Sequence, residues 1–151
     1  MTVLHLIFRL DGEAYALEAS RIAEILPWVD ALQAAQGAAG GVNAINYRGG
    51  VVALIDLAVL TLGRTAERRL STRIVLAHAP QSGKLVGLIA ENATEITRIA
   101  PGDFKTTGLA GPGRDHLGPI AIGPHGPIQR IELDRLPLVA GYGDPPLQRS
   151  A

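Results

Sequence analysis

The chain has no cysteine, and its 151 residues include only one tryptophan, three tyrosines and two phenylalanines. The lack of cysteine excludes a disulfide framework and thiolate metal sites. So few aromatic residues exclude a stacking platform for single-stranded nucleic acid. No apolar run approaches the roughly 18 uncharged residues of a membrane-spanning helix, and the N-terminus has no signal-peptide pattern. We therefore expect a cytoplasmic protein with no direct membrane insertion.

The chain also lacks an excess of either charge. Lys plus Arg and Asp plus Glu number 14 each, so the formal net charge is zero. Nucleic acid and anionic membranes are bound by basic surfaces, so we expect neither as the main partner. Hydrophobic residues make up 47% of the chain and charged residues 19%. This apolar excess supplies either a rich core or part of an interface.

Motifs for catalysis and metal binding are absent as well. The sequence has no G-x-S-x-G, no P-loop and no G-x-G-x-x-G. None of its four histidines has a partner at the spacing that builds a metal-binding face. A composite site of His116 and His125, both in predicted loops, is the enzymatic alternative. We expect no catalytic residue, no metal and no cofactor, which leaves binding as the chemistry.

The most informative stretch is residues 42–63. Two apolar runs flank Arg48-Gly49-Gly50, a pattern typical of two strands joined as a β-hairpin. Asp56 stands before six apolar or hydroxyl residues and Gly63 follows them, which predicts a short helix with an Asp cap and a Gly stop. The stretch therefore predicts strand, glycine turn, strand and short helix.

Other apolar runs predict further strands and hairpins. Asp11-Gly12 between two apolar runs is a strong hairpin signal. Residues 20–29 fit either a helix or a short strand by spacing. Residues 30–41 and 101–116 have the composition of loops. The predicted strands cover residues 3–10, 13–18, 72–78, 84–89, 95–99, 117–122 and 128–133.

The two halves of the chain form an internal repeat. Residues 12–17 match residues 83–88 at an offset of 71, and the same offset carries Glu24 onto Glu95. Val52-x-x-Ile55-Asp56-Leu57 matches Ile128-x-x-Ile131-Glu132-Leu133 at an offset of 76. The alternative is that small β domains share hairpin patterns. The repeat predicts two similar barrels of five short strands, with a groove between them.

Asn46-x-Arg48-Gly49 is followed by a β-branched strand that ends in Ile55-Asp56-Leu57. This pattern is similar to the signature of the CheW family of bacterial chemosensory adaptors, and several other motifs resemble that family in the same order. Asn43 and Ala53 stand where the family usually has Gly and Pro. Asn-Tyr-Arg-Gly at 46–49 and two further segments look most like adaptors of the Wsp-type surface-sensing branch. Further similar segments lie at residues 8–17, 22–25, 73–75, 86–89 and 131–136.

The resemblance implies an all-β fold of two intertwined five-stranded SH3-like barrels with short helical segments. It implies one CheW-like domain over 1–140, with a first barrel near 13–75, a second near 1–12 plus 76–138, and a flexible tail at 141–151. It also implies a scaffold that couples the cytoplasmic tip of a methyl-accepting chemoreceptor to a CheA-type histidine kinase.

Individual site residues follow from the same resemblance. It implies receptor contacts for Ile22 and Glu24 and for the signature turn of Asn46, Arg48 and Gly49. Arg48 is expected to reach a carboxylate or backbone carbonyls across the groove, or else to be a solvated hairpin residue. A kinase-facing edge is expected at Val51, Val52 and Leu54, with core packing as the alternative for at least two of them. The competing function is a small β-barrel that binds a ligand in the inter-barrel groove.

Overall fold

A computed structural model describes residues 1–28, 32–33, 43–79, 83–106 and 115–136. These residues form eleven strands, one α-helix and three single-turn 3₁₀ helices, which confirms the all-β class. The helix α1 is Leu57–Leu62, and the 3₁₀ helices are Ala19–Arg21, Pro101–Asp103 and Leu133–Arg135. The strands are β1 Val3–Leu10, β2 Glu13–Glu18, β3 Ile22–Pro27, β4 Leu32–Gln33, β5 Asn43–Tyr47, β6 Gly50–Asp56, β7 Arg73–His78, β8 Leu85–Ala90, β9 Glu95–Ile99, β10 Leu117–Gly123 and β11 Gly126–Ile131.

The strands form two sheets. The smaller sheet has the order β10-β11-β2-β1-β9, and the larger has the order β3-β7-β8-β6-β5-β4. Within the larger sheet, β4 is a two-residue strand added to the five that were predicted. All pairs are antiparallel except β11 with β2 and β6 with β8.

The two sheets have the same topology, as the internal repeat predicts. The offset of 71 carries β1, β2 and β3 onto β7, β8 and β9, and the offset of 76 carries β5 and β6 onto β10 and β11. The parallel pairs even share one register, since Leu54 lies opposite Gly87 and the equivalent Arg130 lies opposite Ala16. Each repeat therefore places its first hairpin in the sheet formed by the rest of the other repeat, which makes the sheets intertwined.

The sheets divide the chain at other points than the barrel boundaries expected above. Asp11 and Gly12 form a two-residue turn, so β1 and β2 must be neighbours in one sheet, and a boundary after residue 12 would separate them. Strands β7 and β8 likewise form one hairpin, in the larger sheet. The two repeats exchange whole hairpins. The β1–β2 hairpin, residues 3–18 of the first repeat, lies in the smaller sheet, and the β7–β8 hairpin, residues 73–90 of the second repeat, lies in the larger sheet.

Two hydrophobic clusters hold the sheets together. The main cluster contains Leu6, Phe8 and Leu10 of β1 together with residues of the larger sheet such as Leu54 and Ile74. A second cluster lies on the other face of β1 and β2 and includes Ile7 and Ala16. Since alternate strand residues point to opposite faces, β1 serves both clusters and is buried on both sides.

Three sequence predictions are decided in the connecting segments. Residues 22–27 form the strand β3, preceded by a 3₁₀ turn, so the strand alternative is the one adopted. The predicted helix at 57–62 is present, with Asp56 as its N-cap and Gly63 at its C-terminal end with a φ of 77°. Most of the loop at 30–41, the loop residues 107–114 and the tail at 141–151 lie outside the described residues. Within the described part of the chain, no helix is long and apolar enough to span a membrane.

Candidate functional site

The turn between β5 and β6 has an unusual residue at its first central position. Arg48 has a φ of 52° and Gly49 a φ of 84°, the two positive values that a type I′ hairpin turn requires. The turn between β1 and β2 has the same pattern, with a φ of 51° at Asp11 and 86° at Gly12. Asp and Asn tolerate the first position, whereas an Arg there is under local strain of about 1–2 kcal/mol.

Glu24 lies on β3, at the opposite edge of the larger sheet, and contacts this turn. The Tyr47 hydroxyl donates a short hydrogen bond to Glu24 Oε1. Arg48 Nη2 lies 3.6 Å from the same oxygen, and Arg48 Cζ lies 5.1 Å from the centre of the Tyr47 ring. Because β3 is one edge of the sheet and β5 is next to the other, these contacts require the sheet to curve back on itself. We call these three residues the Glu24–Tyr47–Arg48 cluster.

Arg48 is the exposed member of the cluster, whereas Glu24 and Tyr47 are half-buried. The Arg48 side chain is 77% exposed and that of Glu24 38%. The hydrogen bond to Glu24 is the main cause that raises the pKa of Tyr47 above its usual value, so the phenol stays a proton donor at neutral pH. Exposed ion pairs contribute about 0–1 kcal/mol, so the contact with Glu24 does little for stability. It holds a guanidinium in position at the protein surface.

The structure places the other predicted receptor-binding residues around this cluster. Ile22 begins β3, two residues before Glu24, and packs partly buried against the main hydrophobic cluster. Asn46 is exposed on β5, and Gly49 completes the turn with no atom within 4 Å of where its Cβ would be. Sequence reasoning missed Tyr47 as a site residue. Its place beside Arg48 was the only signal, since the contact with Glu24 depends on the tertiary fold.

The three residues expected at the kinase-facing edge divide into two kinds. Val51 is 71% exposed, whereas Val52 and Leu54 are 7% and 4% exposed and belong to the main hydrophobic cluster. The strand alternation explains the difference between Val51 and Val52, which point to opposite faces of β6. A surface role for Val52 and Leu54 is therefore excluded in this conformation, and core packing is their role.

The histidines do not form the composite site considered above. His116 is 3% exposed, and its Nε2 lies 3.0 Å from Thr61 Oγ1 on α1. His125 is exposed in the turn after β10. The seven residues of β10 separate them, a span of about 23 Å. Within the described ranges, no group of three or more His, Asp or Glu side chains is placed to hold a metal ion.

A polar cleft lies where the chain crosses from the smaller to the larger sheet. Its volume is about 160 Å³, below the roughly 300–1,000 Å³ of typical small-molecule sites. Ion pairs already join four of its five charged residues, with Arg21 Nη2 3.2 Å from Asp134 Oδ1 and Arg130 Nε 2.7 Å from Glu132 Oε2. The cleft therefore gives no specific support to the ligand-binding alternative. It is lined by Glu18, Arg21, Arg130, Ile131, Glu132, Leu133 and Asp134.

Comparisons with known proteins agree with this architecture. The family model of the CheW-like domain matches residues 4–136. Among solved structures, the fold is similar to the crystal structure of the scaffolding protein TtCheW from Thermoanaerobacter tengcongensis, with a TM-score of 0.77 and 20% sequence identity. That match covers 88% of this chain and 86% of the other, and at this identity it shows a shared fold. No curated protein matches the sequence. The assignment to the Wsp-type branch stays a prediction.

Proposed function

Since the chain belongs to the CheW family, we propose that it is a non-enzymatic signalling adaptor. In this proposal it acts in the cytoplasm of a chemotaxis or surface-sensing pathway. It couples the cytoplasmic tip of a methyl-accepting chemoreceptor to a CheA-type histidine kinase. The observation that carries the proposal is the conformation and exposure of Arg48.

Arg48 is costly for the fold and contributes little to it. Its positive φ is unfavourable for a side chain with a Cβ, and its ion pair with Glu24 is long and solvated. An Asn or Asp at this position would give a better turn, as Asp11 does in the equivalent place of the first hairpin. A residue that breaks a local rule without a structural gain is a candidate for function. We assign Arg48 to partner contact for this reason.

The chemistry of the cluster suits an acidic patch on a helical partner. A guanidinium has five N–H donors in a planar fork that matches a carboxylate. The absence of a side chain at Gly49 lets a partner approach the turn closely, and exposed Asn46 adds a donor and an acceptor beside it. We propose that this surface binds the receptor tip, with Ile22 supporting β3 from the core side.

Val51 is the residue we propose for kinase contact. It follows the same turn on β6 and exposes 71% of its surface, although valine is a side chain that folding normally buries. Burying a valine at an interface contributes about 1.5–3 kcal/mol. Arg48 lies in the β5–β6 turn and Val51 lies directly after it on β6, so one short element would serve both partners.

Size-exclusion co-elution with the pathway's kinase and receptor tip tests the proposal. The unchanged protein is expected to form a ternary complex. Arg48→Asn is expected to abolish recovery of the receptor tip while retaining the kinase, and to melt at an equal or higher temperature because Asn tolerates the positive φ. Val51→Lys is expected to lose the kinase instead.

Two variants on other surfaces serve as controls. Arg98→Asn removes an exposed Arg from β9, and Val59→Lys replaces an exposed valine of α1. Both should assemble normally. If Arg48→Asn binds the receptor tip as well as Arg98→Asn does, the assignment of Arg48 is wrong. If the unchanged protein elutes without either partner at micromolar concentration, the adaptor function itself is rejected.

A further inference from the structure

The smaller sheet has a buried histidine at one end of its core. His5 is 2% exposed and lies two residues before Ile7 on the same face of β1, the face of the second hydrophobic cluster. Its Nδ1 lies 3.0 Å from the carbonyl oxygen of Val3. A carbonyl only accepts hydrogen bonds, so Nδ1 carries the proton and an acid titration would add a second proton at Nε2.

Phe104 closes this end of the core. Its ring centre lies 5.3 Å from that of His5, and Arg130 Cζ lies 4.9 Å from the Phe104 ring centre. Phe104 follows the 3₁₀ turn Pro101–Asp103 and packs partly buried against the second hydrophobic cluster. The ring therefore contacts a neutral imidazole together with the Arg130 guanidinium, whose Nε also donates to Glu132 Oε2 at 2.7 Å.

The charges around His5 come from two neighbouring strands. Glu18 of β2 lies opposite His5 in the β1–β2 pairing, and Arg130 lies on β11. On the other side, β9 places the uncharged Thr97 opposite His5. Burial is the main cause that lowers the pKa of His5, and Arg130 lowers it further, while the bond to Val3 and the Glu18 carboxylate oppose them. The folded protein therefore holds His5 neutral at pH values where an exposed histidine is already protonated.

We propose that His5, Phe104 and Arg130 form a pH-sensitive plug, in which protonation of His5 loosens Phe104 and the Pro101–Asp103 turn. A buried imidazolium needs water or a closer anion, and Arg130 across Phe104 repels it. Displacement of Phe104 admits solvent and relieves both costs. This property would make the order of the smaller sheet depend on internal pH, and it does not depend on the partners proposed above.

The test is an NMR titration of the full chain from about pH 7.5 to about pH 5, across the ordinary histidine pKa of about 6.5. The midpoint of His5 is expected to lie below the ordinary histidine value, because burial lowers its pKa. The backbone amides of residues 102–106, which follow Pro101 in the turn, are expected to shift and exchange faster at the His5 midpoint. His5→Gln should abolish this amide response, whereas His125→Gln should leave it unchanged.

Two substitutions of neighbours keep the test decisive if His5→Gln fails to fold. Glu18→Gln removes a nearby negative charge and should move the common midpoint down. Arg130→Gln removes the positive charge and should move it up. The proposal is overturned if the amide response has a midpoint different from that of His5, or if neither substitution moves it.

Discussion

At the scale of single residues, conformation and side-chain chemistry conflict at the β5–β6 turn. Gly49 satisfies the turn, with a φ of 84° and open space where a Cβ would lie. Arg48 has the same sign of φ but carries a side chain. The glycine turn predicted from Arg48-Gly49-Gly50 is present, and Gly49 takes the positive φ that it requires. The positive φ of Arg48 was not predicted, because Arg is not a residue that type I′ turns favour.

Gly49→Ala is expected to destabilise the protein by about 1–2 kcal/mol, since the cost is that of a left-handed conformation alone. Urea unfolding followed by circular dichroism measures it. Gly50→Ala is the matched control, because Gly50 has no positive φ and its added Cβ would lie 3.7 Å from the nearest atom, an ordinary contact. Equal effects of the two substitutions would contradict the conformational explanation.

At the scale of elements, α1 depends on the cap that precedes it. Asp56 Oδ1 accepts hydrogen bonds from the backbone N–H of Ala58 at 2.9 Å and of Val59 at 3.4 Å. Its second oxygen accepts from the N–H of Ala66, at 2.9 Å. One carboxylate thus fixes both the start of the helix and the segment that follows it. The equivalent Glu132 has no such capping bond to its 3₁₀ turn.

Asp56→Ala is expected to cost about 2 kcal/mol, the upper range for loss of a helix cap, because the bond to Ala66 is lost as well. Thermal unfolding provides the measurement. Asp56→Asn keeps one accepting oxygen, so its melting temperature should lie between those of the unchanged protein and Asp56→Ala. Asp103→Ala is the control, since Asp103 is exposed and its 3₁₀ turn has no side-chain cap. If Asp103→Ala lowers the stability as much as Asp56→Ala does, the effect comes from removing any acidic residue and the role of the cap is contradicted.

At the scale of the whole molecule, an ion-pair network joins the two sheets. Arg64, which follows α1, binds Glu91 at 2.6 and 3.1 Å and Asp11 at 2.8 Å. Asp11 belongs to the β1–β2 turn of the smaller sheet, and Glu91 directly follows β8 of the larger. Glu91 is 5% exposed. The hydrogen bonds from Arg64 are the main cause that lowers its pKa.

Glu91→Gln is expected to destabilise the protein by about 1.5–3 kcal/mol at neutral pH, because it removes the charge to which Arg64 donates two hydrogen bonds, while Arg64 keeps its contact with Asp11. A carboxylate with a lowered pKa stabilises the fold above its unfolded pKa of about 4.5 and loses that contribution as pH falls through the folded pKa. The difference between Glu91→Gln and the unchanged protein should therefore shrink below about pH 4.5. Melting temperatures from neutral to acid pH measure this.

The control is Glu95→Gln, because Glu95 is in a 3.6 Å pair with Arg9 and its side chain is 47% exposed. This substitution should change the melting temperature little at any pH. A pH-independent loss in Glu91→Gln would contradict the role of the charge.

The sequence by itself determined most of the elements, the capped helix, the repeat and the family. These follow from local spacing: alternation makes a strand, Asp11-Gly12 makes a two-residue turn, and Asp56 with Gly63 bounds α1. The repeat was also visible, since matching residues at offsets of 71 and 76 need no knowledge of contacts.

The tertiary structure alone decided which hairpin joins which sheet and what surrounds Arg48. Side chains along a strand point alternately to its two faces, but this alternation does not say which face is buried. The sequence therefore left open which residues of β6 are buried. The contact of Glu24 with Tyr47 and Arg48 joins residues far apart in the chain. It exists because the larger sheet curves until β3 meets the β5–β6 turn. Such a contact depends on the packing of both sheets together, which no local pattern specifies.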